Sequence, residues 1–338
     1  MSSPPPRPVT AHDVARKAGV SQATVSLVLG GNPRARIASA TRERVWMAAE
    51  ELGYRPNLLA RGLVRGRSYA LGAVVADLGN PFLLEVVRGI ERVGAEAGYA
   101  VLLCDARETS PVRHLETLRA RQTDGVILDA VAAEAIPAPD LADLNVVVVE
   151  HPAGPWPGVA SDAEAAGRLA AEHLLGLGHR ELAFVGPATG EHAFRMRERG
   201  FARTLRDAGV ALPSPRLRRA PATVAGGEAA MRALLARAPR PTAVFCANDL
   251  LALGALKACA VAGVAVPGEM SVAGCDDIEM ARVVTPELTT VAVPARELGA
   301  RAARILLRQL EGKPDPRPGR LLPVKLVPRG TTAGPRVP

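Results

Sequence analysis

The sequence is poor in aromatic residues and cysteines, and it has no long apolar run. Phe, Trp and Tyr make up 3% of its 338 residues, so aromatic platforms for single-stranded nucleic acid are not expected. Its four cysteines, Cys104, Cys246, Cys259 and Cys275, show no C-x-x-C spacing, which argues against a metal site or a disulfide framework. No run reaches the ~18 residues of a membrane span, and the N-terminus lacks a signal-peptide core. We therefore expect a cytoplasmic protein without a metal, cofactor or membrane partner.

The sequence is rich in apolar residues and carries a net positive charge. Apolar residues make up 48% and charged residues 22%, as in a folded protein with a substantial core. The length of 338 residues allows two or three folded units. The net charge of +8 is unevenly placed, because residues 1–67 hold 11 Lys and Arg against four acids. The rest of the chain is nearly neutral. The skew has two interpretations, a solvated basic face or a nucleic-acid-binding N-terminal segment.

The N-terminal segment has a helical pattern. Residues 1–9 form a Pro-rich basic arm that we expect to be disordered. Residues 10–55 predict three short helices, with Thr10 and Ser21 as caps of the first two and Gly19 as the stop between them. The third is expected over Ser39 to Leu52, with four residues facing inward: Val45, Trp46, Ala49 and Leu52.

The first two helices have the pattern of a helix-turn-helix. Residues 10–29 read TAHDVARKAGVSQATVSLVL, in which small residues at the turn allow close helix approach. The side chains that begin the second helix can reach bases or phosphates; these are Ser21, Gln22, Ala23, Thr24 and Ser26. The alternative is an ordinary tight helical corner.

A short linker and a long α/β region follow. The linker spans residues 56–67, and its first part can form one or two helical turns. Beyond it, strand and helix patterns alternate, which is typical of parallel sheets flanked by helices. Seven strands are expected, at Leu71–Ala76, Ala100–Cys104, Gly125–Asp129, Val146–Glu150, Glu181–Gly186, Ala243–Ala247 and Ser271–Gly274. Helices are expected at Phe82–Ala97, Ala163–Leu177, Met196–Ala208 and Leu250–Ala262. About 260 residues of this pattern favour two doubly wound lobes, with ligands beyond the carboxyl ends of strands.

Several motifs in this order closely resemble the lactose-repressor/galactose-repressor (LacI/GalR) family. They include DVARKAGVSQATVSLVL, TRERVWMAAEELGYRPN, LGAVVADLGNPF, PTAVFCANDLLALGALKA and SVAGCDDIEMARVVTPELTTV. The resemblance covers about residues 9–332. It implies a helix-turn-helix headpiece (10–55), a hinge helix (56–67) and a core like periplasmic binding proteins (68–333). The implied lobes are residues 68–160 with 294–321, and residues 161–293 with 322–333.

For the DNA side, the resemblance implies a transcriptional repressor that binds double-stranded operator DNA. Leu63 matches a leucine that such repressors insert into the minor groove, where it unstacks one base step. An ordinary packing role is the alternative. The other positions taken as DNA contacts are Thr10, Leu27, Arg36, Tyr54, Asn57 and Ala60. Leu27 replaces a common arginine, so the usual operator cannot be transferred to this chain. Ala38, where a Ser cap is usual, and Gly62 are further departures.

For the effector side, the resemblance implies a cleft between the lobes that takes a small polar, sugar-like molecule. Each implied contact falls just past a strand end: Asp77, Asn80, Phe82, Glu150, Arg197, Asn248 and Asp276. Carboxylates, an amide and a guanidinium suit hydroxyl groups, and Phe82 can cover an apolar sugar face. Asn248 and Asp276 have an alternative role as caps. Asp249 is expected to cap the following helix, and Arg195 to be structural.

Three alternatives to a sugar-responsive regulator stay open from sequence. One is a solute sensor without DNA function, and another is an enzyme, although no nucleophile–base or nucleotide-loop motif supports catalysis. The third keeps the regulator but exchanges the sugar for a nucleobase or a sugar phosphate. Because the sequence has no leucine heptads after RGTT, we expect a homodimer.

Overall fold

The computed structural model describes residues 7, 9–30, 36–54, 67–151, 156–187, 191–313 and 321–335. The chain divides into two units, Met1–Tyr69 and Ala70–Pro338, referred to below as the headpiece and the core. No helix within the described ranges is long and apolar enough to cross a membrane.

Three helices build the headpiece: α1 (Ala11–Ala18), α2 (Gln22–Leu29) and α3 (Ser39–Glu51). Thr10 caps α1 in a reciprocal capping box with Asp13, which satisfies two backbone N–H groups of the first turn. Gly19 ends α1 in the left-handed conformation, with φ of 65°. Ser21 caps α2 by accepting a hydrogen bond from the Thr24 N–H. The predicted helix starts and stops are confirmed here.

The headpiece core consists only of small aliphatic side chains. Its buried residues are Val14, Ala15, Ala18, Val25, Val28, Val45, Ala48 and Ala49. The prediction that Trp46 faces inward is wrong, since this side chain is 57% exposed. An apolar residue next to Val45 on a helix points about 100° away from it, and small residues at 48 and 49 already close the core.

The first sheet of the core is entirely parallel, in the order β2-β1-β3-β4-β5. Its strands are β1 (Ala70–Val75), β2 (Ala100–Asp105), β3 (Gly125–Asp129), β4 (Val146–Val149) and β5 (Gly158–Val159). β3 and β4 are buried along their whole length, as expected for strands covered on both faces. The edge strand β2 is largely exposed.

The second sheet has the order β11-β10-β9-β8-β6-β7. Its strands are β6 (Leu182–Gly186), β7 (Leu217–Arg219), β8 (Ala243–Cys246), β9 (Ser271–Asp276), β10 (Thr289–Ala292) and β11 (Lys325–Val327). All neighbours are parallel except β10 and β11. The two parallel sheets confirm the predicted fold class. Four strands were not predicted, and each has four residues or fewer: β5, β7, β10 and β11.

Helices of the core cover both sheets. They are α4 (Pro81–Glu96), α5 (Pro111–Ala120), α6 (Ala130–Glu134), α7 (Ala163–Gly176), α8 (His192–Asp207), α9 (Val224–Leu235), α10 (Asp249–Val261) and α11 (Ala295–Leu310). Short 3-10 turns lie at Ala138–Leu141, Ser214–Arg216 and Glu279–Arg282. The four predicted helices are present, but α8 begins four residues earlier than expected. α11 packs against α4 and the first sheet although it follows the second sheet in sequence.

Three helix pairs approach so closely that only glycine fits at the crossings. A Cβ on Gly167 of α7 would collide with the backbone oxygen of Arg197, and one on Gly200 of α8 with that of Glu164. The same reciprocal arrangement holds for the pairs α4–α11 and α9–α10, at Gly89, Gly299, Gly227 and Gly254. Backbone contact of this kind fixes where each helix N-terminus lies. Since α8 carries Arg197, its crossing with α7 also sets the position of that side chain.

Candidate functional site

The headpiece presents most of the predicted base-reading side chains to solvent. Ser21, Gln22, Ala23, Ser26 and Leu27 are all exposed on α2, while Val25 and Val28 hold the opposite face against α1 and α3. Leu27 is 40% exposed, so its side chain is not needed by the headpiece core. A short helix with one buried face and one polar exposed face has the geometry of a recognition helix.

The remaining described headpiece candidates have different surroundings. Thr24 is half-buried, and its hydroxyl lies 2.9 Å from the Ser21 hydroxyl. Thr10 is occupied by the capping box with Asp13, which holds the pKa of that carboxyl at about 2 through hydrogen bonds from Thr10. Arg36 is exposed, whereas Tyr54 packs in part on the headpiece core. Ala38 precedes α3 without a side-chain cap.

The predicted hinge contacts lie outside the described residues. Asn57, Ala60 and Leu63 fall within residues 55–66. Their assigned roles, together with the hinge helix, stay predictions.

In the core, six of the seven predicted effector residues line one pocket of about 240 Å³: Asp77, Asn80, Phe82, Glu150, Arg197 and Asp276. They come from the ends of β1, β4 and β9, from the start of α4 and from the second turn of α8. Carboxyl ends of parallel strands and N-termini of the following helices converge at one edge of each sheet, which explains why residues far apart in sequence meet here.

A buried ion pair forms the polar end of this pocket. Arg197 Nη2 lies 3.0 Å from Asp276 Oδ1, and Nη1 donates a 2.6 Å hydrogen bond to the carbonyl of Ala247. Both charged side chains are at most 5% exposed. Arg197 Nε and Asp276 Oδ1 have no aligned hydrogen-bond partner among the described residues. A buried polar atom without a partner costs free energy, so these atoms suit the hydroxyl groups of a ligand.

Besides Asp276, two further carboxyl groups of this paragraph line the pocket, those of Glu150 and Asp129. Burial raises the pKa of Asp276 to about 7, although Arg197 opposes the shift. Burial likewise raises the pKa of Glu150, whose oxygens accept hydrogen bonds from the N–H and hydroxyl of Ser161. Asp129 ends β3 and accepts hydrogen bonds from the N–H groups of Ala76 and Ala132. Glu150 and Asp276 have φ of 65° and 124°, a strained conformation that is frequent at functional sites.

The other side of the pocket is apolar. Its larger side chains are Phe82, Leu83, Val131, Val149, Phe194 and Leu250. The guanidinium of Arg197 lies 5.5 Å from the ring centre of Phe194, so this ring separates the ion pair from the apolar wall. An ordered polar end and an apolar wall are typical of small-molecule sites.

Sequence reasoning missed several of these residues. Asp129 ends a strand whose bounds were predicted correctly, so the rule that selected Glu150 and Asp276 would also have selected it. Phe194 and Glu191 precede the expected start of α8 and were read as loop. Leu83, Val131, Thr223 and Leu250 give no local signal, since only the tertiary fold brings these helix starts together.

Asn248 has its alternative role as a helix cap, and the prediction that Asp249 caps this helix is wrong. Asn248 caps α10 through Oδ1, which accepts from the Leu251 N–H, and it lies outside the residues that line the pocket. Its buried Nδ2 has no hydrogen-bond partner in the described part of the chain. Asp249 does not cap the helix. It is buried, accepts hydrogen bonds from Thr290 Oγ1 and the Ile278 N–H, and joins β10 to the turn after β9.

Three further residues have structural roles. Asp162 caps α7 by accepting from the Ala165 N–H. The buried His179 contacts the hydroxyls of Thr242 and Ser271 and the carbonyl of Ala333. Trp156 packs against the apolar core of the first sheet.

Comparison with known proteins agrees with this architecture. Residues 10–57 match the family of bacterial regulatory proteins named lacI, and residues 171–332 match the periplasmic binding protein-like domain. The curated relatives include the transcriptional regulator DegA of Bacillus subtilis, at 33% identity over 96% of this chain and 98% of DegA. The repressor CytR of Escherichia coli is 34% identical, with 96% of each chain covered.

Solved structures agree as well. The lac repressor dimer bound to operator and the anti-inducer ONPF superposes with a TM-score of 0.85 at 29% identity, covering 97% of this chain and all of that one. The complex of the regulator CelR with cellobiose gives a TM-score of 0.71 at 31% identity, covering 96% and 99%. With a matching headpiece, two matching sheets and relatives above 30% identity along nearly the whole length, the chain belongs to the LacI family of bacterial regulatory proteins.

Proposed function

We propose that this protein is a cytoplasmic transcriptional repressor that binds a pseudo-palindromic operator as a homodimer, and that a small sugar-like effector in the core pocket controls this binding. The observation that carries the DNA part is the exposed face of α2. Five side chains of the predicted reading set project from a helix whose other face is fixed by the headpiece core.

Gln22 and Leu27 are the side chains that we expect to determine base preference. Gln22 can bond adenine through two hydrogen bonds, and Leu27 offers an apolar contact to a thymine methyl. An arginine at position 27 would instead favour guanine. We therefore expect an operator that differs from those of relatives with arginine at this position.

Exposed apolar side chains on the core support the homodimer. Leu102 and Leu103 of the edge strand β2 are exposed, as are Val261 at the end of α10 and Val283 after the last 3-10 turn. These exposed apolar residues lie in both halves of the core, as expected if both lobes contribute to the contact between two copies. Sedimentation of the wild type and of Leu103→Asp would measure this association.

The pocket supports ligand control. Its polar end offers Arg197 Nε, a donor without a hydrogen-bond partner among the described residues, beside the ion-paired carboxyl group of Asp276, and it collects residues from both sheets. A ligand bound there contacts both halves of the core, so it can favour one arrangement of the halves over another. Control of DNA binding requires that the ligand bind the two arrangements with different affinity.

The test is selection of duplexes from a random pool with the wild type, Leu27→Arg and Leu63→Ala. The proposal predicts a palindromic consensus for the wild type, with a flexible pyrimidine–purine step at its centre. It predicts a guanine gained in each half-site with Leu27→Arg, and weaker enrichment with Leu63→Ala. Affinity for the selected duplex should fall steeply with salt, because phosphate contacts release counterions. Absence of enrichment at moderate salt would contradict the proposal and favour a solute sensor.

A further inference from the structure

Two histidines from different halves of the core lie against each other. His151 follows β4 of the first sheet, and His192 begins α8, which follows β6 of the second sheet. Their ring centres are 6.0 Å apart and the ring planes are inclined at 47°, which is within the range at which aromatic rings pack. Neither histidine lines the core pocket, but their neighbours Glu150 and Glu191 do. The histidine contact therefore lies beside the pocket and joins the two halves whose residues line it.

Charged groups of both signs surround the two rings. Glu134 ends α6 in the first half, and its Oε1 lies 3.8 Å from His151 Nε2. Arg195 follows His192 on α8 and adds a positive charge on the side of the second half. The titratable or charged groups of the elements that meet here are Glu134 of α6, Glu150 and His151 after β4, Glu191 before α8, and His192 and Arg195 in its first turn.

These surroundings disfavour a positive charge on His192. Burial lowers its pKa, repulsion from His151 and Arg195 lowers it further, and the attraction of Glu134 has a smaller opposing effect. The N-terminus of α8, which has no side-chain cap, also disfavours a cation at its first residue. Repulsion from His151 is relieved when the halves separate, whereas that from Arg195 is not, because Arg195 belongs to the same helix. Proton uptake by His192 therefore favours the separated arrangement.

We propose that His151, His192 and Glu134 form a proton-sensitive contact between the two halves of the core. With both rings uncharged, the contact holds the halves together beside the pocket. When both rings are protonated, their like charges face each other and drive the halves apart. Histidine changes its charge between about pH 5 and 8, so the contact responds to acidification in that range. The effect on ligand binding rests on the proposed function of the pocket, whereas the contact itself does not.

The first experiment measures the titration of each histidine ring by NMR of the full chain, with ¹³C-labelled histidine and a chelator that removes metal ions. Single His→Gln variants assign the signals of the six histidines. In His151→Gln the proton affinity of His192 should rise by about threefold or more, because a like charge is removed. In Glu134→Gln it should fall, because an attracting charge is removed. His12→Gln, at an exposed position of the headpiece, is the matched control and should leave His192 unchanged. An unchanged His192 titration in His151→Gln would overturn the proposal.

The second experiment measures the separation of the halves, without ligand, as the distance between two spin labels. The labels are attached to Glu116→Cys on α5 and Ala233→Cys on α9, since both positions are exposed. The background is Cys104→Ser, because the other three cysteines are buried. Dilution with unlabelled chain restricts the measurement to the two labels of one copy, so the distance reports on the two halves of a single core.

Two substitutions of His192 should change this distance in opposite ways. With the native histidines, we expect the distance distribution to shift between about pH 8 and about pH 5.5. His192→Gln cannot become charged and should keep the neutral distribution in acid. His192→Lys is charged throughout this range and should show the acid distribution already at about pH 8. A wild-type distribution that does not change with pH would overturn the proposal, and so would a shift in His192→Gln equal to that of the wild type.

Failure of the proposed function would give a different result. Both experiments use neither ligand nor DNA, so a positive result stands even if no sugar binds in the pocket. For a sugar that does bind, the affinity should fall in acid by about threefold or more beyond the fall seen in His192→Gln, because the separated halves no longer both contact it. Both proteins contain Asp276, so its titration contributes to both and cancels in the comparison. An equal fall in the two proteins would overturn the link between the contact and the pocket.

Discussion

The headpiece and the core differ in the size of their buried side chains and in where their candidate site residues lie. The headpiece closes over eight Val and Ala side chains, and its candidate DNA contacts are mostly exposed. The core buries large side chains, among them the Phe184, Phe201 and Phe245 rings at centroid distances of 5.3–5.9 Å. Its candidate effector contacts include a buried ion pair, in which Arg197 Nε has no hydrogen-bond partner among the described residues. A unit of some 45 residues with a small core is marginal in stability, whereas the larger core can carry the free-energy cost of a strained, unsatisfied site.

The largest expected effect is on the helix crossings that give the core its rigidity. Gly167→Ala places a methyl group against the backbone of Arg197, so α7 and α8 must separate. We expect a loss of about 3 kcal/mol or more in the free energy of unfolding, with weaker ligand binding because Arg197 moves. Gly176→Ala, at the end of the same helix, has open space around the new methyl group. It should be neutral or stabilise by about 0.5–1 kcal/mol. Denaturant unfolding of both variants tests this, and equal losses would contradict the close-packing account.

The second-largest expected effect is a loss of stability of the headpiece alone. Val45→Ala removes two buried methyl groups from its core, which should cost about 1.5–2 kcal/mol. In so small a unit this is a large share of the total stability. We expect DNA binding to be lost at a lower temperature while the core unfolds as in the wild type. The two tryptophans lie in different units, Trp46 and Trp156, so a Trp46→Phe background lets fluorescence report the core alone. A shift of the core transition in Val45→Ala would show that the units do not unfold separately.

The two units should also respond to pH in opposite directions. In the core, burial raises the pKa of Asp249 to about 6 and that of Asp276 to about 7. Raised carboxyl pKa values stabilise the folded state at low pH, and this contribution is lost as pH rises from about 4 through 7. In the headpiece, the pKa of Asp13 is lowered to about 2, so its contribution is present at neutral pH and is lost as pH falls from about 4 to 2.

Asp276→Asn and Asp13→Asn test this contrast. Asp276→Asn should flatten the pH dependence of core unfolding between pH 5 and 8, and Asp13→Asn that of headpiece unfolding in acid. The measurement is thermal unfolding at a series of pH values, with core fluorescence and far-ultraviolet circular dichroism recorded together. If core stability instead rises between pH 5 and 7 in the wild type, Asp276 is ionised throughout and the assignment of its pKa is wrong.

The smallest effect is expected at Trp46. Because this side chain is exposed, Trp46→Ala should change headpiece stability by less than about 0.5 kcal/mol. Circular dichroism of the variant measures it. A loss comparable to that of Val45→Ala would support the inward orientation that the sequence pattern first suggested.

How far the sequence predicts the structure also differs between the two units. In the headpiece, local signals such as the Thr10 and Ser21 caps and Gly19 determine where helices start and stop. Trp46 was misplaced because periodicity alone does not distinguish two adjacent apolar residues. In the core, long strands and helices were predictable, but strands of two to four residues such as β5 and β7 carry too few residues to show a period.

Prediction of the pocket residues is limited in the same way, because only some of them have a local sequence signal. Asp77, Glu150 and Asp276 were predicted from the family resemblance, and their positions just past strand ends agree with where parallel sheets bind ligands. Leu83, Val131 and Leu250 could not be predicted, because nothing local distinguishes them from other apolar residues near helix starts. The structural role of Asp249 depends on the Thr290 hydroxyl and the Ile278 N–H, which are distant in sequence.

We propose that a ligand bound in the core pocket changes the affinity of the headpiece for DNA. The most direct measurement is the affinity for the selected duplex, by fluorescence anisotropy, with and without a saturating amount of the sugar that binds most tightly among a set of aldopentoses and aldohexoses. We predict at least a tenfold change in the wild type. In Asp276→Asn, we predict the same affinity without ligand and little or no response to it. Equal affinities in the wild type with and without bound ligand would contradict the account.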